Sequence, residues 1–136
     1  MRTAIDTDDA PRSDSPISQA VRAGDTVYVS GQVPRTAAGG IVDGDVGAQT
    51  ERTLDNLETV LAAAGLTLDD VVKVTVFLTD LSDFDAFNDA YRRRFAAPMP
   101  ARSAVAVADL AVDADVEIEA VAVDPDRAAG RSDDPN

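Results

Sequence analysis

The chain contains no cysteine and no histidine, and its one lysine is Lys73. The first absence excludes disulfides, thiolate nucleophiles and zinc sites with sulfur ligands. The second removes the usual general base and the commonest metal ligand. Chemistry here therefore falls to Asp, Glu, Arg, Lys73, Tyr, hydroxyls, backbone amides or bound water. No apolar run approaches the roughly 18 residues needed to span a bilayer, and the amino end lacks a basic stretch followed by an apolar one. The expectation is a soluble, cytoplasmic protein that uses neither metal nor cofactor.

Positive charge is scarce as well: 12 basic residues face 25 acidic ones, a formal charge of −13. Nucleic acid and anionic membrane surfaces would repel such a chain before any local patch could act, so neither is an expected partner. Arg92-Arg93-Arg94 is the one basic cluster, and helical periodicity would splay it around its helix. Glutamate occurs only at positions 51, 58, 117 and 119, the remaining acids being aspartate, and eleven arginines accompany the single lysine. That bias fits a salt-rich, halophilic cytoplasm. At molar ionic strength the Debye length shrinks to about 3 Å, which screens self-repulsion while the carboxylates keep the surface hydrated.

A length of 136 residues suits one domain, with about two thirds of the unfolded surface buried on folding. Residues 1–124 read as that domain. Its first 15 residues, rich in Asp and Ser, read as a loosely attached start, and 125–136 as a disordered acidic tail. Ile17 to Ala23 and Thr26 to Ser30 flank Gly24-Asp25 and predict a hairpin. Gly31 follows, where a missing side chain permits a sharp turn or close approach of a ligand.

Asp45 predicts a helix cap, Leu54, Leu57, Leu61 and Ala64 the apolar stripe of that helix, and Gly65 its stop. Gln49, Asn56 and Glu58 are expected as surface or helix-end polars. Val71 to Leu78 predicts a strand covered on both faces. Phe84, Phe87, Tyr91 and Phe95 recur at spacings of three, four and four, placing a core-facing aromatic stripe on a second helix. Asn88 sits close to that stripe, where an amide needs partners or a ligand.

Two features ask for chemistry. Arg102, in Pro100-Ala101-Arg102-Ser103, stands between a proline turn and an alternating Ala/Val strand, a setting suited to gripping a carboxylate with two parallel hydrogen bonds. Glu117 and Glu119 share one face of the last strand, Val116 to Val123, and a half-buried carboxylate there must be paired, hydrogen-bonded or neutralised. The runs Ser103 to Ala108 and Val116 to Val123 are expected to pair as an antiparallel hairpin. That register sets Glu117 on the order of 20 Å from Arg102. A site using both would then lie between chains.

The combination of Ser30-Gly31-Gln32-Val33-Pro34, Gln49 with Leu54-Asp55-Asn56-Leu57, Ala63-Ala64-Gly65-Leu66, Val71 to Phe77, Asp83-Phe84 with Asn88 and Tyr91, Pro100-Ala101-Arg102-Ser103 and Val116-Glu117-Ile118-Glu119-Ala120 resembles the RidA (YjgF) family of reactive intermediate imine deaminases. The resemblance implies an α+β subunit of chorismate-mutase-like type, a mixed sheet with two helices on one face. It further implies a barrel-like homotrimer with ligand clefts between subunits. It implies hydrolysis of 2-iminopropanoate and 2-iminobutanoate to 2-keto acids and ammonium. Arg102 would bind the substrate carboxylate and Glu117 would position or activate water. Ser30, Gly31 and Asn88 would line the cleft.

The chain departs from the pattern at Ile17, where many family deaminases carry a tyrosine, and at Ala104, where cysteine is frequent. Ile17 can neither donate a hydrogen bond nor orient water, which implies lower activity or a bulkier, more apolar substrate. Two alternatives stay open: a non-catalytic trimer binding small carboxylates such as keto acids, and another hydrolytic activity within the same family.

Overall fold

The computed structural model describes residues 1–132. Six strands form one mixed sheet: β1 (Thr3–Ile5), β2 (Ala20–Ala23), β3 (Thr26–Gln32), β4 (Val71–Leu78), β5 (Ala101–Ala106) and β6 (Val116–Val123), in the order β1-β2-β3-β6-β4-β5. All neighbours are antiparallel except β4 and β5, which run parallel across the connecting helix α2 (Phe84–Arg92). Helix α1 (Val46–Ala63) packs on β3, β6 and α2, so the two helices share one face of an α+β fold.

Each element follows from its own residues. The Asp45 side chain accepts the Ala48 N–H at 3.0 Å and starts α1. Leu54, Leu57, Val60 and Leu61 then bury completely, at roughly 1.5–3 kcal/mol for each side chain. Gly65, at φ 77°, ends the helix as the N–H groups of Gly65 and Leu66 return to the carbonyls of Ala62 and Leu61. The β2–β3 hairpin turns at Gly24, φ 63°, as expected.

On β4 and β6 the pleat sends Val74, Val76, Leu78, Val116, Ile118 and Ala122 to the helix side, where each is fully buried. Lys73, Thr75, Phe77, Glu117 and Glu119 point the other way, and Tyr28 and Val105 stand exposed on that same face. Within the chain β4 is thus covered on one face, where coverage on both was expected.

The expected hairpin between the last two strands does not form. Residues 107–115 are long enough to carry the chain past β4, and β6 inserts between β3 and β4, while β5 takes the outer edge beside β4. β6 thereby gains a hydrogen-bonded neighbour on each edge, and its Val/Ile/Ala side meets helix α1. Arg102 therefore lies within β5, and the separation derived from a hairpin register does not apply.

Three further expectations change. The start is not loose throughout, because β1 joins the sheet edge and Gln19 ties 7–11 down: its Oε1 accepts the Thr7 N–H, and its Nε2 donates to the carbonyls of Thr7, Ala10 and Pro11. Residues 125–132 of the expected disordered tail form a helix, α3 (Pro125–Ser132), and 133–136 lie outside the described residues. Its first turn is capped by the Asp124 carboxylate, which also holds Arg22 at 2.9 Å.

Gln49 and Asn56 are buried, not superficial. Gln49 donates to the Asp115 carboxylate and the Gly44 carbonyl and accepts the Asp115 N–H at 2.8 Å. Asn56 Nδ2 donates to the carbonyls of Val33 and Arg35, both at 3.0 Å. Both lie on the helix stripe's margin, where spacing alone cannot separate a buried amide from a solvated one. Glu58 is exposed and joins Glu51 and Asp55 around Arg94, which folds the end of the arginine cluster onto α1. Among the described residues no helix is long and apolar enough to cross a membrane.

Gln49 fastens α1 to the residue just before β6. Gln49→Ala leaves the Asp115 N–H without its partner and is expected to lower stability by about 1–3 kcal/mol. Glu58→Ala, which removes one exposed member of an ion-pair group, is expected to cost under about 1 kcal/mol. Urea unfolding at constant m-value measures both.

Candidate active site

Glu117 is set by β6 and faced by a distortion in β3. The β3–β6 register shifts between Val29 and Gln32, so Ser30 and Gly31 bulge out of the ladder. The bulge is held by the Ser30 N–H to Gln19 O at 3.0 Å, Ser30 Oγ to Ser18 O at 2.6 Å and Gln32 Nε2 to Ser30 O at 2.9 Å. Gly31 then comes directly under the Glu117 side chain. A Cβ at Gly31 would lie 2.8 Å from Glu117 Cδ and 3.1 Å from Cγ, and nearer still to Oε2. The missing side chain is thus the space that Glu117 occupies.

Ile17, Ser30, Gly31 and Glu117 line one cleft of about 460 Å³, together with Arg35 and Val112. Ile17 is 56% exposed there, an uncovered apolar side chain beside a carboxylate. Glu117 is half-buried, and its pKa is raised, first by burial and then by the charge of Glu119. Among the described residues no donor or cation meets its carboxylate.

Arg102 and Asn88 line a different hollow, of about 270 Å³, with Tyr91, Arg92, Met99 and Pro100. The Arg102 guanidinium carbon stands 4.9 Å from the Tyr91 ring centroid and 5.6 Å from those of Phe84 and Phe87. This aromatic box holds the cation by its ring faces and spends none of its N–H donors. No acid or carbonyl among the described residues takes them. The Tyr91 hydroxyl is likewise buried without a partner among the described residues, and its pKa is pushed up to about 12 by burial, opposed by the charge of Arg102. Asn88, half-buried at the rim, leaves its amide unengaged among the described residues.

The two hollows cannot merge within one chain. Arg102 is in register with Val74, on the helix face, whereas Glu117 is in register with Phe77, on the open face. Partners in register project to the same side of a sheet. Of the six residues singled out from sequence, four gather around Glu117 and two around Arg102, on opposite faces. Phe84, Phe87 and Tyr91, read from sequence as plain core, form the box under Arg102. Their helical spacing was visible, but the strand they would cover was not. Among the described residues no group of three Asp or Glu side chains is placed to hold a metal ion.

The family model described as Endoribonuclease L-PSP matches residues 7–124. The 2-iminobutanoate/2-iminopropanoate deaminase of Escherichia coli K12 is 44% identical over 126 residues, which cover 90% of this chain and 98% of that protein. Among solved structures, RidA from an Antarctic Psychrobacter species aligns with a TM-score of 0.86 at 42% identity, over 89% of this chain and 98% of that one. Escherichia coli TdcF with bound serine aligns with a TM-score of 0.83 at 40% identity and the same coverage. With a family match running from the first strand's end to the last, and relatives above 40% identity along nearly their whole length, this chain belongs to the Endoribonuclease L-PSP family, that of RidA and YjgF.

Proposed function

We propose that this chain is a cofactor-independent 2-imino acid deaminase of the cytoplasm, acting on 2-iminopropanoate and 2-iminobutanoate at clefts between the subunits of a homotrimer. One observation carries the reading: a guanidinium with free donors and a carboxylate with raised pKa each stand in an incomplete hollow, on opposite faces of the same sheet. Apposing the open sheet face of one copy to the β5 edge of the next would bring the two halves together. It would also cover Tyr28, Val105 and the half-buried side of β4. The relative named a 2-iminobutanoate/2-iminopropanoate deaminase and the TdcF structure with bound serine support a small amino-acid-like ligand.

In the assembled cleft Arg102 grips the substrate carboxylate in two parallel hydrogen bonds, with Asn88 and Tyr91 as neighbouring polar groups. The protonated imine is already electrophilic, so the remaining task is to orient water. Glu117 takes a proton from that water as its oxygen adds to the imine carbon. The resulting carbinolamine regains the proton on nitrogen and its C–N bond breaks, the hydroxyl proton leaving with the nitrogen. Iminium plus water thus becomes keto acid plus ammonium. Ser30 and Gly31 form the floor, and Ile17 offers the substrate's alkyl end an apolar contact in place of a hydrogen bond.

Ile17 also favours a second reading, a non-catalytic trimer that binds small carboxylates, because it supplies no group to hold the water. RNA cleavage, which the family description names, is disfavoured by the charge of −13 and by the engagement of Arg94 with α1.

Keto-acid release from 2-iminopropanoate generated in situ separates the first two. Native protein is expected to exceed the spontaneous rate. Arg102→Ala should lose about ten- to a hundredfold in kcat/KM, and Glu117→Gln about a hundredfold or more in kcat. No rate above background from a folded native oligomer would leave the binding reading in its place.

The raised pKa gives a sign for pH. Glu117 must be ionised to act, so kcat is expected to climb with pH through a limb above the ordinary value of 4.5. Folding favours the protonated form, so the stability this group contributes is present below its unfolded pKa and lost as pH rises through the folded value. Glu117→Gln should therefore unfold at a higher temperature than native protein at pH 7, with the gap closing in acid.

Gly31→Ala is expected to fold, since the atoms nearest the added Cβ all belong to the flexible Glu117 side chain and none to the backbone, yet to lower kcat by displacing that carboxylate. Unchanged kcat in a folded Gly31→Ala protein would remove Glu117 from the reaction.

A further inference from the structure

The Glu117 cleft contains a cation that hydrolysis of a monocarboxylic imine does not use. Arg35 lines the 460 Å³ cleft and also the narrower recess of about 80 Å³ that adjoins it beside Ile17, Ser30 and Gly31. Its backbone is fixed from several sides. The N–H donates to Val33 O at 2.8 Å, the carbonyl accepts Arg52 Nε at 2.9 Å and Asn56 Nδ2 at 3.0 Å, and a β-bridge joins it to Ile41. The side chain makes one hydrogen bond, Nη1 to Gly39 O at 2.8 Å. A guanidinium has five N–H donors, so four stay uncommitted among the described residues. Glu117 and Glu119 line the same cleft, yet among the described residues neither is ion-paired with Arg35. Cation and carboxylates thus border a shared space without closing it.

We infer that Arg35 selects substrates carrying a second carboxylate, so that 2-imino dicarboxylic acids are preferred over 2-iminopropanoate. The inference rests on the deaminase reading above and names its substrate class. The protonated imine of such an acid bears three charges in sequence along a short chain: an α-carboxylate, an iminium and a distal carboxylate. The composite cleft offers three opposite charges, in Arg102 of a neighbouring copy, Glu117 and Arg35. Ile17 lines the cleft with Glu117 and Arg35, where it would pack against the methylene groups of the substrate. A monocarboxylic imine would leave Arg35 without an acidic partner and much of the 460 Å³ unfilled.

The test compares kcat/KM for 2-iminopropanoate, 2-iminosuccinate and 2-iminoglutarate, each generated in situ, in native protein, Arg35→Leu and Arg35→Lys, all verified as folded oligomers. Calorimetric affinities for 2-oxoglutarate and 2-oxobutanoate, which require no turnover, are measured beside them. A dicarboxylic imine is expected to exceed 2-iminopropanoate by about tenfold, the worth of one charged hydrogen bond. Arg35→Leu should abolish that ratio and the matching affinity ratio, and Arg35→Lys should restore part of both. Turnover of 2-iminopropanoate with no dicarboxylate preference, or a ratio unchanged in Arg35→Leu, overturns the Arg35 inference and leaves the deaminase reading intact. If no imine is turned over, the deaminase reading fails. The affinity ratio then decides Arg35 alone: preference for 2-oxoglutarate lost in Arg35→Leu upholds its selectivity, and equal affinities overturn it.

Discussion

The two-residue period of a β-strand governs everything functional in this chain. Val74 and Phe77 lie on one strand, three residues apart, so they point to opposite faces, and they carry Arg102 and Glu117 with them through the register. No side-chain motion can bring a guanidinium through a sheet to meet that glutamate. Each group instead stands at a hollow of its own: Arg102 over an aromatic box that leaves its donors free among the described residues, Glu117 above a glycine that leaves it room. The proposed trimer would answer this geometry by apposing the two faces, so that one reaction could use both groups.

Polar groups buried by the fold serve that placement. Gln49 clamps Asp115 just ahead of β6, and Asn56 clamps Val33 and Arg35 just after β3, so helix α1 fixes both strands that frame the Glu117 cleft. The raised pKa of Glu117 has a cost in stability at neutral pH, and a half-buried, unpaired carboxylate is kept where packing alone would favour an amide. On the other face the unsatisfied Tyr91 hydroxyl is a parallel case, a buried polar atom at the rim of the hollow that holds Arg102.

Much of this was readable from the chain. The cap at Asp45, the stop at Gly65, the hairpin at Gly24 and the aromatic stripe of α2 are local signals, and each appears in the structure. Arg102 and Glu117 stood out because a charge within an apolar alternation requires an explanation. What local pattern could not supply was strand order. Two β-like runs joined by a short acidic connection look like a hairpin, and only the competition for the central position beside β3 and β4 places β6 between them. The right conclusion, that Arg102 and Glu117 cannot meet in one chain, was reached from a pairing that does not exist. Arg35 carries no local signal in the sequence, because its significance depends on which cleft it borders.

The central question is whether one active cleft draws Arg102 and Glu117 from different copies of the chain. The direct measurement mixes two impaired proteins, Arg102→Ala and Glu117→Gln, by unfolding and refolding them together, then assays imine hydrolysis against the residual rate of each parent. A native Arg102 from one variant can then meet a native Glu117 from the other. With random mixing in a closed three-fold ring, roughly a quarter of the clefts regain both groups, and about that fraction of native activity is predicted to return. Mixed trimers, verified as such by mass, that remain as inactive as either parent would contradict the account.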